Sequence, residues 1–260
     1  MTEAQPKTKV YCAVPTMGTV ADSQTYFWRE AEKLYGDRIE FIWPEQCVRR
    51  FGHDFARNSH VEEFLKSGAD ILFFLDSDVV PPTNVFDLVV NNAKWNLAGA
   101  PYPVFMTPSG FERQQVLFTV YKGSNGQGLG VAQVPSSGTE YVDGLATGCL
   151  FIKREVLEHM PAPWFEFKYD EKTRKMIEGE DLGFCRKARD LGYKFYVDYS
   201  MVCKHYKTVC LLEVNNYAME YAKRTVDSYS AMIKPLIEQL SAKARAAQRP
   251  VDKIIKSFRT

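Results

Sequence analysis

Two aspartates that follow a short apolar run are the residues best suited to chemistry in this sequence. Residues 71–75 are all apolar, and Asp76, Ser77 and Asp78 follow them directly. A run of this length predicts a strand buried on both faces, with the carboxylates at its carboxyl end, where an open α/β sheet binds ligands. Carboxylates this close repel each other unless a cation joins them, as a divalent metal with phosphate oxygens does. The pair could instead open a turn, but the apolar run before it favours a ligand site.

Three further features could complete a site for a metal-bound diphosphate. A glycine-punctuated loop leads from Asp143 to Gly148, Glu180 and Asp181 begin a predicted helix, and His205 follows a predicted strand. His205 would offer a nitrogen ligand, which suits manganese better than calcium, although a single histidine is more often structural. Adjacent acids at a helix start are usually favoured by the helix dipole. They also suit a general base that points at a substrate hydroxyl.

The composition describes an ordinary globular protein of one large or two small domains. The chain has 260 residues, 45% of them hydrophobic, and a net charge of +1, so it has no strong overall preference for nucleic acid or membrane. Its six cysteines include no C-x-x-C pair, which argues against a zinc cluster and for reduced thiols. The polar first residues and the lack of any apolar run of membrane-spanning length predict a soluble, cytoplasmic protein.

The first hundred residues alternate between strand and helix patterns. Strands are predicted at 10–15, 39–43, 71–75 and 97–101, and helices at 23–35, with Ser23 as N-cap, at 55–67 and at 84–93. This alternation predicts an α/β fold with a mixed, mainly parallel sheet flanked by helices. Between residues 115 and 134, alternating β-formers around a Gly/Ser segment predict an inserted antiparallel hairpin or flap.

The end of the chain has a different pattern. Residues 213–240 are predicted to be helical, and residues 241–260 carry six Lys or Arg against one acid. We therefore expect a domain over residues 1–212 and a C-terminal helical extension with a basic tail over 213–260. The tail is more simply a solvated helix end than an arm for a polyanion or a membrane surface.

Together these motifs resemble the GT-A fold glycosyltransferases of the large inverting, nucleotide-sugar-dependent group, which are family-2-like. The resemblance covers residues 10–206. The matching parts are residues 10–15, 56–58, 74–78, 143–148, 180–181 and His205. Each motif is short, and it is their order and spacing together that carry the resemblance.

The resemblance implies a donor site at the ends of the first strands. The implied nucleotide-sugar-binding residues are Pro15, Thr16, Arg57, Asn58, Asp76, Ser77, Asp143 and Gly148. Pro15 and Thr16 would contact the base or ribose, and Arg57 would face the nucleotide unless it is an ordinary surface residue of its helix. The expected donor is a UDP-sugar.

The resemblance also implies a metal and a catalytic base. Asp76, Asp78 and His205 would hold Mn2+ or Mg2+, which would offset the charge that builds on the departing diphosphate. Asp181 would deprotonate the acceptor hydroxyl for direct displacement at the anomeric carbon, with Glu180 in support.

The acceptor is less clearly defined by the sequence. Trp164 and Phe165 could stack on it, or they could form a buried aromatic cluster. The expected partners are a glycan, a protein or, by analogy with phage-encoded transferases that act in a host cell, a hydroxymethylated base in DNA. The chain lacks the Q-x-x-R-W signature of processive synthases, so a polymer-extruding synthase is not expected.

Two other functions are compatible with parts of the sequence. A nucleic-acid-binding module could use the basic tail, although the neutral overall charge weakens this reading because phosphate contacts need many cations. A phosphohydrolase of the haloacid dehalogenase type would use Asp76 as nucleophile and Asp78 as acid/base. That motif usually lies on the first strand of its fold, whereas two strand–helix units precede it here.

Overall fold

The computed structural model describes residues 6–16, 20–45, 52–91, 94–106, 115–124, 127–132, 137–207, 218–235 and 238–239. Within the first unit given below, the helices are α1 (Asp22–Tyr35), α2 (His53–Ser67), α3 (Asp87–Val90), α4 (Arg154–His159) and α5 (Glu180–Asp190). The strands are β1 (Thr8–Ala13), β2 (Ile39–Ile42), β3 (Ile71–Leu75), β4 (Val79–Val80), β5 (Leu97–Gly99), β6 (Pro103–Met106), β7 (Gln115–Phe118), β8 (Val120–Ser124), β9 (Gln127–Val131), β10 (Thr139–Val142), β11 (Gly144–Leu145), β12 (Cys149–Lys153), β13 (Lys168–Tyr169), β14 (Met176–Glu178), β15 (Phe195–Asp198) and β16 (Lys204–His205).

A seven-stranded sheet forms the centre of the fold. Its strand order is β10-β15-β5-β12-β3-β1-β2. The pairs β1–β2, β1–β3 and β5–β15 are parallel, whereas β12 and β10 run against their neighbours, so five of the seven strands share one direction. The predicted α/β class with a mainly parallel sheet flanked by helices is therefore confirmed.

The β3 strand lies in the interior of this sheet, and both of its faces are covered. Its five side chains are at most 5% exposed. Because successive side chains of a strand point to opposite faces, Phe73 stacks on Phe151 of β12 with ring centroids 4.1 Å apart, whereas Phe74 meets Phe165 edge-on in the other cluster. The β3 strand is therefore paired along both edges and packed on both faces, and this fixes the position at which Asp76 leaves the sheet.

Local signals fixed some element ends and missed others. The α2 helix ends where Gly68 adopts a left-handed conformation with φ 68°, as the sequence predicts. The α1 helix begins at Asp22, and Ser23 lies inside it; the N-cap is Ala21, so the predicted cap is wrong. The predicted helix at 84–93 is much shorter, because residues 83–86 form turns before the four-residue α3.

Short pairings outside the main sheet bring distant segments together. The β4 strand, just after Asp78, pairs antiparallel with β16, so that Val79 lies opposite His205. The predicted flap is present as the β8–β9 hairpin, and β8 also pairs with β11. The β4–β16 pairing has no local sequence signal, since its strands are more than 120 residues apart.

The chain divides into two units, Met1–Tyr206 and Lys207–Thr260. In the second unit residues 218–235 are helical, inside the predicted range of 213–240. The basic tail at 241–260 lies outside the described residues. Within the described part of the chain, no helix has the length and apolar character needed to cross a bilayer.

Candidate active site

The site is built around the segment that leaves β3. The backbone N–H of Asp76 donates to the carbonyl of Gly148, 3.0 Å away, because β12 runs antiparallel beside β3. The Gly148 N–H in turn donates to the Tyr102 hydroxyl at 3.2 Å. A Cβ atom on residue 148 would lie 2.5 Å from that hydroxyl and 2.9 Å from Asp76 Oδ2. Only glycine fits at this position without a shift of its neighbours.

A buried arginine from α2 joins this segment to the start of α5. Arg57 Nη2 lies 3.0 Å from Asp76 Oδ1, and Arg57 Nε lies 3.5 Å from Glu180 Oε1. Burial alone would lower the pKa of Arg57, but the carboxylates of Asp76 and Glu180 more than offset this effect. The pKa is therefore raised, and Arg57 stays positively charged. Arg57 Nη1 is also buried, and no group in the described part of the chain hydrogen-bonds to it.

Asp181 lies in the same charged cluster, at the first turn of α5. Its Oδ1 accepts a hydrogen bond of 2.8 Å from the N–H of Leu182. The pKa of Asp181 is raised, first by burial and next by Glu180, while the Leu182 N–H and Arg57 oppose the shift. A carboxylate whose pKa is raised holds a proton more readily than an ordinary aspartate, which is what a general base requires. Glu180 is occupied by Arg57, so Asp181 is the better candidate for proton transfer.

The second aspartate of the pair faces the histidine that the sequence singled out. His205 Nε2 lies 3.5 Å from Asp78 Oδ1, because β16 pairs with β4 and the N–H of Tyr206 donates to the Asp78 carbonyl at 2.8 Å. The other ring nitrogen, Nδ1, is 2.7 Å from the carbonyl of Pro103. A carbonyl only accepts, so Nδ1 carries the hydrogen and, in the neutral ring, Nε2 presents its lone pair to Asp78.

These two groups fit a divalent metal. A carboxylate oxygen and an imidazole nitrogen that face each other need a proton or a metal cation between them. A histidine that ligates a metal commonly donates its other ring N–H to a carbonyl, as His205 Nδ1 does to Pro103. No cluster of three or more His, Cys, Asp or Glu side chains with metal-binding geometry occurs among the described residues. The protein would therefore supply two ligands, leaving positions for phosphate oxygens and water.

A pocket of 280 Å³ opens beside this cluster, at the carboxyl end of β1. Its lining residues include Thr16, Gln24, Trp28, Trp43 and His60. Gln24 Nε2 donates to the carbonyls of Asp76 and Val79, at 2.9 and 2.8 Å, and so ties the pocket to the aspartate loop. The pocket therefore lies next to the aspartate loop, although the charged side chains of the cluster do not line it.

Several other predicted donor residues have protein partners. Pro15 is buried, and Thr16 is partly exposed in the pocket wall. The Asn58 amide both donates to and accepts from the backbone of Phe165, at 2.7 and 3.1 Å, so it fastens α2 to that loop. Ser77 is partly exposed, and its carbonyl accepts from the Ala21 N–H.

Asp143 bonds to a different group of residues. Its carboxylate accepts hydrogen bonds from Lys194 and from the N–H of Gly123 in the β8–β9 hairpin. Burial would raise the pKa of Asp143, but these bonds outweigh it and lower the pKa. Asp143 therefore anchors the hairpin. Among the described residues its carboxylate bonds to Gly123 and Lys194, and not to the groups around Asp76 and Asp181.

The two aromatic residues considered for the acceptor are part of the core. Trp164 is 9% exposed and its indole N–H donates to the Leu157 carbonyl, while Phe165 is 1% exposed and stacks on Phe184 with centroids 4.6 Å apart. Of the two alternatives left open by the sequence, the structure has the buried aromatic cluster. We leave both side chains out of the acceptor site.

Sequence reasoning missed three residues of this site: Gln24, His60 and Tyr102. Tyr102 packs edge-on against His205, with centroids 5.1 Å apart, and so links the Gly148 loop to the Asp78–His205 pair. A weak signal existed for His60, since it follows Arg57 by three residues and shares its helix face. Gln24 had no such signal.

The comparisons with known proteins bear on the fold. No family model and no curated protein matches the sequence. Among solved structures, the chain is similar to A197 from STIV, with 20% identity over 77% of this chain and 86% of that chain and a TM-score of 0.50. Weaker likenesses include GalNAc-T7 with UDP, GalNAc and Mn2+ (13% identity, 78% of this chain and 44% of that chain, TM-score 0.42) and the catalytic domain of Drosophila β1,4-galactosyltransferase 7 in complex with xylobiose (16% identity, 77% and 71%, TM-score 0.41).

At 20% identity the likeness to A197 speaks for the fold alone. The two chains share the α/β fold expected from the sequence, and in this chain the aspartate pair lies at the carboxyl end of an interior strand.

Proposed function

We propose that this chain is an inverting glycosyltransferase that moves a sugar from a nucleotide diphosphate sugar to an acceptor hydroxyl. The observation that carries the proposal is the cluster at the end of β3. There the Asp78–His205 pair, the Arg57–Asp76 pair and Asp181 are linked through a continuous set of contacts beside a pocket. Such a cluster provides a cation site, a fixed positive charge and a base, which are the three needs of this reaction.

The metal site of the proposal consists of Asp78 and His205, with Mn2+ or Mg2+ as the ion. When bound, the ion would supply electrostatic stabilisation for the negative charge of the leaving diphosphate. The sequence prediction also named Asp76 as a ligand. Because Asp76 is bound to Arg57 at 3.0 Å, we assign it to holding the arginine and the ribose side of the donor.

The nucleoside of the donor would lie in the 280 Å³ pocket beside Thr16. The size suits a heterocycle with part of its ribose better than a whole nucleotide sugar. Trp28 and Trp43 offer aromatic surface for the base. The diphosphate would then reach toward the metal site of Asp78 and His205.

The chemical step uses Asp181 as general base. Its carboxylate takes the proton of the acceptor hydroxyl, and the hydroxyl oxygen attacks the anomeric carbon as the bond from that carbon to the diphosphate oxygen breaks. The electron pair of that bond leaves with the nucleoside diphosphate, and the configuration at the carbon inverts. Glu180 and Arg57 hold the first turn of α5 in place, so that Asp181 keeps its direction.

A binding panel tests the proposal. Thermal unfolding is followed with UDP, CDP, GDP, ADP and dTDP and their sugars, each with and without Mn2+, and sugar transfer to glycan, protein and hydroxymethylated DNA acceptors is assayed with the donor that binds. We expect a Mn2+-dependent rise in melting temperature with a UDP-sugar, lost in Asp78→Asn and kept in Asp37→Asn, whose carboxylate is exposed. If no nucleotide raises the melting temperature under any condition, the proposal is wrong.

A further inference from the structure

The charges of the chain are unevenly divided between its two units. Residues 1–206 carry 23 Lys and Arg against 27 Asp and Glu, whereas residues 207–260 carry 10 against 5. The first unit therefore has a net charge of −4 and the second a net charge of +5, and the total of +1 conceals this difference. Such an asymmetry is typical of chains that bind a polyanion or an anionic membrane surface.

The helix of the second unit, residues 218–235, has one wide hydrophobic face. Because an α-helix turns by about 100° per residue, nine side chains fall within an arc of about 160°, and eight of them are hydrophobic. They are Ala218, Met219, Tyr221, Ala222, Thr225, Val226, Tyr229, Met232 and Ile233. The six large hydrophobic ones are each between 44% and 66% exposed. A contiguous exposed patch of this kind marks a surface that another molecule covers.

The polar groups on this face are compatible with burial in an apolar layer. The hydroxyl of Thr225 donates to the carbonyl of Tyr221, 2.9 Å away and one turn earlier in the helix. It is therefore satisfied without water, so the threonine methyl can enter an apolar medium at little cost. Tyr221 and Tyr229 each combine an apolar ring with a hydroxyl, which suits a boundary between an apolar layer and water.

The charged residues of the helix are ordered around the opposite face. Lys223 and Lys234 lie toward the border with the hydrophobic face, whereas Glu220 and Asp227 lie farthest from it. Lysines at such a border can keep their stems on apolar surface and reach anionic headgroups with their ammonium groups. Glu220 is paired with Arg224 at 2.9 Å, so it also carries little free negative charge. The helix thus presents apolar groups and cations in the same direction.

We infer that the helix of residues 218–235 lies flat on an anionic membrane surface, with its hydrophobic face among the acyl chains. Residues 241–260, whose sequence has six Lys or Arg against one acid, add electrostatic attraction to the headgroups. A nucleic acid would use the cations but not the hydrophobic face. A coiled coil with a second copy uses a narrower stripe of two positions in seven. The inference does not depend on the proposed function.

Vesicle flotation tests the inference on the full chain. Binding is compared between vesicles of phosphatidylcholine alone and vesicles of phosphatidylcholine mixed with phosphatidylglycerol, at low and at high salt. We expect the anionic vesicles to bind the chain at least about tenfold more tightly than the neutral ones, because the second unit has a net charge of +5. This preference should shrink as the salt concentration rises.

Two double variants separate the hydrophobic face from the rest of the helix. Val226→Gln with Ile233→Gln places neutral polar groups inside the hydrophobic face, and we expect it to weaken binding to anionic vesicles at least about tenfold. Ser228→Gln with Ala231→Gln makes two neutral changes outside that face and should bind as wild type does. Circular dichroism checks that both variants keep the helix content of the wild type.

The contrary outcomes are distinct. If the wild type does not bind anionic vesicles, or if the two double variants bind them equally well, the inference is wrong. If light scattering shows a wild-type dimer that Val226→Gln with Ile233→Gln separates into monomers, a second copy covers the face. If a DNA duplex binds and the vesicles do not, the basic residues serve a nucleic acid. Each of these results overturns the membrane inference and leaves the transferase proposal standing, since nucleotide binding is measured separately.

Discussion

Arg57 Nη2 lies 3.0 Å from Asp76 Oδ1, with the arginine side chain 4% exposed and the aspartate side chain 25% exposed. The pair connects the middle of α2 to the first residue after β3, and through Glu180 it also reaches α5. One guanidinium thus neutralises Asp76 and Glu180, acids from two segments that are 104 residues apart in sequence. It also sits close enough to Asp181 to affect the pKa of that group.

Arg57→Met should therefore destabilise the protein strongly. The substitution keeps much of the apolar contact with the Phe74 ring but leaves Asp76 and Glu180 without their cation. Breaking a buried pair by removing one partner costs about 3–5 kcal/mol, and we expect the lower end because Asp76 is partly exposed. Urea denaturation measures the change. Lys33→Met, which removes an exposed ion pair with Glu30, should cost less than about 1 kcal/mol; equal costs for the two variants would contradict this role of Arg57.

Asp181→Asn should abolish most transfer while leaving donor binding intact. Asparagine keeps the size and the acceptor oxygen that bonds to the Leu182 N–H, but it cannot take a proton. Loss of a general base lowers the rate roughly 10²–10⁴-fold. Single-turnover rates and UDP affinity are measured side by side. Turnover near the wild-type rate would mean that the base is another residue.

The same residue predicts the pH dependence of stability. Because the pKa of Asp181 in the folded chain is raised above its ordinary value of 3.8, the folded state binds this proton more tightly than the unfolded state does. The free energy of unfolding therefore falls as the pH rises from 3.8 through the raised pKa of Asp181. Above that pKa the full cost of burying the Asp181 charge is present. Asp181→Asn should remove the penalty, so the variant should be more stable than wild type at pH 7, with the advantage fading in acid. Transfer by wild type should be lost as the pH falls below the raised pKa.

Gly148→Ala should damage both the fold and the site. Its methyl group would lie 2.5 Å from the Tyr102 hydroxyl and 2.9 Å from Asp76 Oδ2, so one of them has to move. Overpacking of this kind costs about 1–3 kcal/mol. Gly130→Ala in β9 is the matched control, because the nearest atom to its methyl is 3.8 Å away. Equal stability of the two variants in urea would show that the Gly148 contact is not tight.

The main elements of the fold could be predicted from local patterns in the sequence. The run at 71–75 is hydrophobic because β3 is covered on both faces, and Gly68 ends α2 because its φ is positive. The shortened α3 was missed because Thr83 and Asn84, which follow two prolines, are as typical of a helix start as of a turn. The start of α1 was missed because Ala21 is not a usual N-cap residue. Local patterns report burial and turns, and little about how far an irregular segment extends.

The candidate site was only partly predictable for a similar reason. Asp78 and His205 could be named from their types and their order, but the β4–β16 pairing that joins them is a long-range contact. Asn58 has the polar character of a ligand residue, yet its partner is the backbone of Phe165, 107 residues away. His60 is a single polar residue on a helix, and only its burial without partners draws attention to it. Such roles depend on tertiary contacts that no local window contains.

The final prediction concerns the metal that Asp78 and His205 would hold. Since the chain offers two ligands and the diphosphate would offer others, metal and donor should bind cooperatively. EDTA should lower the melting temperature clearly when UDP is present and only slightly when it is absent, as linkage requires.

His205→Gln should remove the Mn2+-dependent part of UDP binding, because the Nδ1 bond to the Pro103 carbonyl that aims Nε2 at Asp78 is lost with the ring. His159→Gln, on an exposed residue of α4 that bonds to Tyr193, is the control and should respond to Mn2+ as wild type does. If UDP binding proves indifferent to both EDTA and His205→Gln, the facing carboxylate and imidazole are a proton-bridged structural pair, and the metal site of the proposal is wrong.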